Sequence, residues 1–530
     1  MSRRAAPLAL ALLTAALVLA GCGQGPAGQG ATAAATLRRG NGAEPDSLDP
    51  QLARSDGAGQ ILRDVYEGLA NLDAHGEPVG GAAERWDTSA DGLTLTFHLR
   101  PGARWSNGEP LSAADFLASW RRLVDPASAA PYAGSLAPVV NASAISAGRQ
   151  PVAALGVEAP DARTLVVHLA APTPYFPGLV AHWSTFPTWH GLPPAPPGKT
   201  VSNGAYTLDR WVVGSHVLLA RNPRYWNDAA TRIPAVRFEH IADAGDEYAR
   251  YRAGDLDTTY VVPQQPIERL RELHGAELHL SPQLGIYYYG FNLAKPPFKG
   301  AAGLRQALAM SVDRERLVAQ VTRLGELPAY SWVPPGVAGY EPQRFEWAAR
   351  PYAERVTEAR RLYAAAGYSA RHPLEVELRY PAAQNSERIA IAVAAMWQEA
   401  LGVRTRLAGE EFKSLLAAIN RGDTEIFNSG WQGDYNDAYT FAEVLKGDFG
   451  INLMHYRSAA YDAALAASAG ALDPAVRRAA LEQAERTLLA DAPLVPLYFF
   501  VNKHLVAARV LGWYDNVMNV VYSKDLALVQ

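Results

Sequence analysis

Apolar positions along the chain recur with two different periods, and the switch between them maps its elements. Thr94-Leu95-Thr96-Phe97-His98-Leu99 alternates polar and apolar side chains, the period of a strand with one buried face, and Arg100-Pro101-Gly102 stops it. Residues 374–380 alternate in the same way, and 36–40, 163–169 and 217–221 also read as strands. Between 60 and 69 the period lengthens, and Ile61, Val65 and Leu69 fall on one side of a predicted helix. A helix is also predicted from Ser112 to Arg122, because the serine and Asp115 supply an N-cap and an acid for the first turn. Beyond about residue 300 the chain becomes Ala-rich, with helices predicted at 303–310, 313–324, 355–366, 386–401 and 474–490. The stretch 187–197 is Pro-rich and irregular, a candidate crossover between domains. This mixture, without a repeat of fixed period, predicts an α/β fold with several lobes.

The first residues read differently. Arg3-Arg4, a short apolar stretch and then Leu19-Ala20-Gly21-Cys22 have the order of a secretion signal whose apolar region is too short to span a bilayer. Leu19-Ala20-Gly21-Cys22 is similar to the bacterial lipobox. The expectation is therefore a signal peptide over 1–21, acylation of Cys22, and a flexible tether over 22–35. Ala5-Ala6-Pro7 after the paired arginines favours general secretion over the twin-arginine route. The tether contains a formal G-x-G-x-x-G from Gly23 to Gly28, but no strand precedes it and Pro26 interrupts it, so a dinucleotide site is not expected.

Composition narrows the function. With 49% hydrophobic residues in 530 the chain can bury two or three cores, and a formal charge of −4 without basic clusters argues against nucleic acid as a partner. Hydrolase signatures are missing: there is no H-E-x-x-H pair, no G-x-S-x-G elbow, and no cysteine besides Cys22. His98 and His168 sit in strands, where structural roles prevail. Asp434 with Asp437, and Asp255 with Asp257, read more simply as turn acids than as acid/base pairs. No cofactor, no metal and no catalysis are expected. Aromatic residues beside turns stand out instead: Tyr287-Tyr288-Tyr289, Trp431 near Asp434-Tyr435, Tyr498-Phe499-Phe500, and Phe186 with Trp189. Most would pack in cores, yet such walls around a few polar groups also suit a ligand cleft.

Longer segments carry a resemblance. Ala83-Glu84-Arg85-Trp86, the run Thr96 to Leu111, and Asp115-Phe116 resemble the signature of the peptide-binding receptors of ABC importers, extracellular solute-binding protein family 5. Ser47-Leu48-Asp49-Pro50, Glu67-Gly68-Leu69, Asn203-Gly204-Ala205-Tyr206, Asn222 to Trp226, Tyr251 to Asp255, Val312-Asp313-Arg314 and Ala365 to Tyr368 continue it. Pro131-Tyr132-Ala133, Lys295 to Phe298 and Gly430 to Asn436 look most like the oligopeptide branch.

The resemblance implies a bilobal periplasmic-binding-protein fold with an extra third domain, mixed sheets and flanking helices. Domain I would take 36–67, 193–283 and 500–530, domain II 68–192, and domain III 284–499. It implies an extended oligopeptide held between two closing lobes and delivered to the permease of an ABC importer, by a monomer anchored to the bilayer through Cys22. It assigns the peptide's α-ammonium to Asp434 and the lining to Tyr132, Gly430 and Trp431, with Tyr287 and Arg54 as further ligand contacts. Departures from the family pattern are part of the expectation. A cysteine pair of enteric relatives reads Gly285 and Gln432 here, and basic groups that meet the ligand's carboxylate read Ser386, Ile419 and Asn428. Arg54 falls where those relatives have an acid, and Arg421 is a possible substitute cation. Wall-derived muropeptides are the alternative ligand, and an extracytoplasmic peptidase or amidase the alternative activity.

Overall fold

Three larger sheets organise the chain, which we describe in a computed structural model over residues 36–447 and 452–529. The expected signal peptide, Cys22 and the tether lie outside the described residues. One four-stranded sheet joins Thr36–Gly40 in parallel to Ala235–Glu239, with His216–Arg221 and Tyr206–Val212 beyond it. A second, antiparallel sheet contains Ala83–Thr88, Thr94–Leu99, Thr164–His168 and Val157–Asp161. A single apolar core runs beneath both and includes Leu37, Phe97, Trp120, Phe176 and Phe238. These sheets therefore form one lobe.

The other lobe is built on a six-stranded sheet, with cores on its two faces. Phe291, Tyr289 and Trp397 lie on one side, and Tyr288, Trp332 and Phe441 on the other. Its long strands Leu278–Phe291 and Leu494–Leu505 run back to the first lobe as an antiparallel ribbon, where the Leu505 amide meets Thr259 Oγ1 at 2.9 Å. The ribbon's register is interrupted between Pro282 and Ile286. Proline lacks the N–H a ladder needs, so the pairing breaks where the ribbon passes between the lobes.

Most predicted elements occur, with informative differences at their ends. The helix expected over 60–69 spans Asp56–Val65: Ser55 caps it, its hydroxyl accepting from the Ala58 amide at 3.3 Å, and the chain turns extended at Tyr66. Leu69 is buried beyond that end, because Gly68 packs so tightly on Phe186 that a methyl group there would come within 2.6 Å of the ring. The helix at Ala113–Val124 has the expected capping box of Ser112 and Asp115. The helix expected over 313–324 is one α-turn, Arg314–Arg316, running into a π-helical stretch, Leu317–Thr322, that ends at left-handed Arg323 (φ 59°). Gly285 and Gln432 are direct partners across the ladder, and a Cβ on Gly285 would lie 2.5 Å from the Phe500 ring. The aromatic ring takes the space a side chain would need.

Candidate functional site

A cavity of about 830 Å³ lies between the lobes and is walled by both. On the first lobe, the Ser55-capped helix sends Asp56, Gln60 and Arg63 into it, three residues whose spacing of four and three places them on one helical face. The Arg63 guanidinium lies 4.8 Å above the Trp183 ring, and its Nε has no hydrogen-bond partner. Burial works against its charge, while Tyr522 and Asp56 support it. Burial first, and Arg63 second, push His182 down to about 3, so this imidazole is neutral. Tyr132 packs 4.8 Å from His182 and edge-on to Trp183 at 5.7 Å, and its hydroxyl donates to the Arg54 carbonyl at 3.2 Å.

The facing wall comes from the end of strand Ile426–Gln432 and the turn after it. The Gly433 amide donates to Leu284 O at 2.8 Å, and a methyl at Gly433 would lie 2.9 Å from Thr440. That close approach fixes the turn. The Asp434 amide donates to Thr440 Oγ1 at 3.2 Å, which leaves its carboxylate open to the cleft. Among the described residues no cation pairs with it and no donor reaches it. Asp434 is exposed to the cleft, yet the surrounding walls take away part of its bulk water, which pushes its pKa upward. Its charge is felt by the Tyr132 phenol of the other lobe, which is raised by burial, Asp56 and Asp434.

Glu443 adds a second acid to this wall. Burial pushes it up to about 7, opposed by the hydrogen bond from Tyr435 Oη at 3.1 Å and reinforced by Asp434 and Asp437. Beside it the lobes touch: Tyr175 of the first lobe stacks on Tyr435 at 4.5 Å and 4°, and on Tyr439 at 5.2 Å.

The residues singled out by sequence thus separate. Tyr132 and Asp434 line one cavity from opposite lobes, whereas Arg54, Gly430, Trp431 and Tyr287 lie outside its lining. Arg54 is exposed, its amide held by Asp46 at 2.8 Å. Gly430 is exposed and pairs with Tyr287 on one face of the sheet, while Trp431, one residue on, turns to the opposite face and donates to Thr440 O at 2.9 Å. Tyr287 stacks on Tyr498 at 4.8 Å, with its hydroxyl beside Ser386 and Asn428. Ile419 is core, and Arg421 is exposed and paired with Asp423 at 2.7 Å. The same-face spacing of Asp56, Gln60 and Arg63 was open to sequence reasoning, which passed over it. Tyr175 and Glu443 carry no local signal, since distant segments bring them together. Among the described residues no group of three metal-ligating side chains occurs, and no helix is long and apolar enough to cross a membrane.

Comparison with known proteins agrees with this architecture. The sequence profile of the bacterial extracellular solute-binding proteins, family 5, matches residues 77–452. The periplasmic oligopeptide-binding protein OppA of Escherichia coli is 37% identical over 515 residues, covering 95% of this chain and 94% of its own. Among solved structures, the unliganded open form of the periplasmic murein tripeptide-binding protein MppA superposes with a TM-score of 0.88 at 35% identity, over 93% of this chain and 97% of that one. Haemophilus influenzae OppA in complex with RPPGFSPFR, also 35% identical and covering 93% and 99%, gives 0.71. The higher score against the open form matches a cleft whose lobes stand apart.

Proposed function

This chain is a member of family 5 of the bacterial extracellular solute-binding proteins, and from that premise we propose that it captures oligopeptides in the cleft between its lobes and delivers them to an ABC importer. The observation that carries the reading is the cavity of about 830 Å³ lined by both lobes, with an ionisable carboxylate at Asp434 that no cation among the described residues neutralises. A peptide's α-ammonium supplies that cation. A ligand touching both walls favours the closed arrangement by its differential affinity for it, and the closed form is what a permease can distinguish from the empty receptor.

Around this centre Tyr132 faces Asp434 across the ligand, and Gly430, Trp431, Tyr287 and Arg54 are the neighbours that closure or a longer ligand brings into play. We assign the division into domain I (36–67, 193–283, 500–530), domain II (68–192) and domain III (284–499) on the same reading. Cys22 is the lipid anchor, the protein works as a monomer outside the cytoplasm, and the ligand leaves unchanged because the chain performs no chemistry on it.

Mass spectrometry of whatever co-purifies in the cleft tests the proposal. Intact peptides released on denaturation support it, and murein-type peptides would keep the mechanism and change the ligand. Cleaved products accumulating from added peptide would mark an enzyme, and a cleft that neither holds nor binds any peptide refutes the reading.

A further inference from the structure

Where the long ribbon reaches the first lobe, His504 is buried and lies directly across the ladder from His279. Its Nδ1 stands 3.0 Å from the Thr259 carbonyl oxygen and its Nε2 2.7 Å from the carboxamide oxygen of Asn519, a residue that also lines the cavity. Two oxygens on one imidazole set a chemical constraint. A neutral ring has one N–H and one lone pair, and only a ring carrying both protons donates to two oxygens. The Thr259 oxygen never donates, so Nδ1 keeps its hydrogen in either state. Asn519 can change: a half-turn of its carboxamide exchanges oxygen for NH2 and supplies the donor that a bare Nε2 needs. Its backbone is left-handed at φ 54°, which asparagine tolerates, and its amide donates to Asn516 O at 3.1 Å, so the half-turn leaves the main chain in place. Among the described residues its NH2 end meets no acceptor.

The charges around the ring act in both directions. Burial first pushes His504 down; the contacts with Thr259 and Asn519 and the charge of Asp515 favour its proton, and Arg39 opposes it. Asp515 is shared, since it also meets His279 Nδ1 at 2.9 Å and accepts from Trp513 Nε1 at 3.0 Å. We propose that His504 and Asn519 form a proton-operated switch beside the hinge, which reverses the polarity of the hydrogen-bonding group that Asn519 shows to the ligand. With the ring neutral, the carboxamide oxygen turns to the cleft and accepts from a main-chain N–H of the peptide. With the ring doubly protonated, that oxygen is drawn back to Nε2 and the NH2 faces the cleft, so the same N–H finds no acceptor. Peptide binding and charging of His504 therefore oppose each other. The inference rests on the peptide-receptor reading above and adds a regulation of that site.

NMR of protein labelled with 15N-histidine tests it, because the ring nitrogens report protonation directly, and the His504 signal is identified by its loss in His504→Gln or its displacement in Asn519→Ala. One hydrogen bond lost is about tenfold in affinity, and by reciprocity saturating Ala-Ala-Ala should move the midpoint of the His504 titration to a proton concentration about tenfold higher. Asn519→Ala removes the switch and keeps the other charges of the cleft, Asp434 and Glu443 included, so its midpoint should be the same with and without peptide. Asn519→Asp, with an oxygen on both sides, should let the ring charge more readily and lose the opposition as well. A parent midpoint that peptide leaves unmoved, or a displacement that survives Asn519→Ala, overturns the switch and leaves the receptor reading standing. Failure of Ala-Ala-Ala, and of longer peptides, to bind the parent overturns the receptor reading and this inference with it.

Discussion

Replacing Asp434 by asparagine deletes one negative charge and keeps the shape and a hydrogen-bonding oxygen. In the open cleft this carboxylate is exposed and has no donor or cation among the described residues, so its role falls to the ligand. Closure removes the water from the peptide ammonium, and a buried ion pair broken by loss of one partner costs about 3–5 kcal/mol. Asp434 stays partly hydrated, so we take the lower end, about 3 kcal/mol, or roughly a hundredfold in affinity. The ligand-free protein should not suffer, because the substitution also removes a like charge that presses on Glu443. Its Tm should equal or exceed the parent's. Calorimetry with a free-amino tripeptide and its N-acetylated form gives the two readings needed: the free peptide loses about a hundredfold in the variant, and the acetylated one binds the parent weakly and changes little. Should Asp434→Asn bind both forms as the parent does, with the same melting behaviour, the ammonium site lies elsewhere and the electrostatic reasoning fails.

The remaining expectations concern protonation, packing and anchoring. Burial holds Asp434 high and Glu443 at about 7, so the folded ligand-free protein retains protons that the unfolded chain releases, and this stabilisation is present at low pH and lost as pH rises toward 7. The ligand-free Tm should therefore fall more steeply between about pH 5 and 7 in the parent than in Glu443→Gln, and superimposable curves count against the assignment. Gly285→Ala forces a methyl into the Phe500 ring and should cost about 1–3 kcal/mol in denaturant unfolding, a loss that Phe500→Leu partly relieves if the clash is its cause. Cys22→Ser should release a soluble receptor that still binds peptide, and full membrane retention of that variant would refute acylation as the anchor.

What could be read in the sequence follows a physical division. Thr94–Leu99 was legible because it alternates toward one core, and Ala113–Val124 because its capping box lies within four residues. The long strands Leu278–Phe291 and Leu494–Leu505 were visible only as aromatic clusters: buried on both faces over much of their length, they show no alternation to detect. The site divides in the same way. Asp434 and Tyr132 were reached through the segments around them. The aromatic contact of Tyr175 with Tyr435, and the pairing of Glu443 with Asp434 on one wall, are products of tertiary folding that no short window contains.

Across the ladder from Gln432, Gly285 leaves its space to the Phe500 ring, and the chain's single cysteine is Cys22, ahead of the described residues. Residues 36–529 thus contain no thiol at all. Maturation after export needs no oxidant and offers no mispaired disulfide to correct. The same blankness makes the protein a ready chassis for optical reporting: without Cys22, one cysteine placed on the rim of each lobe would carry a dye pair with no competing reaction, and cleft closure could be followed as a change in distance between the two.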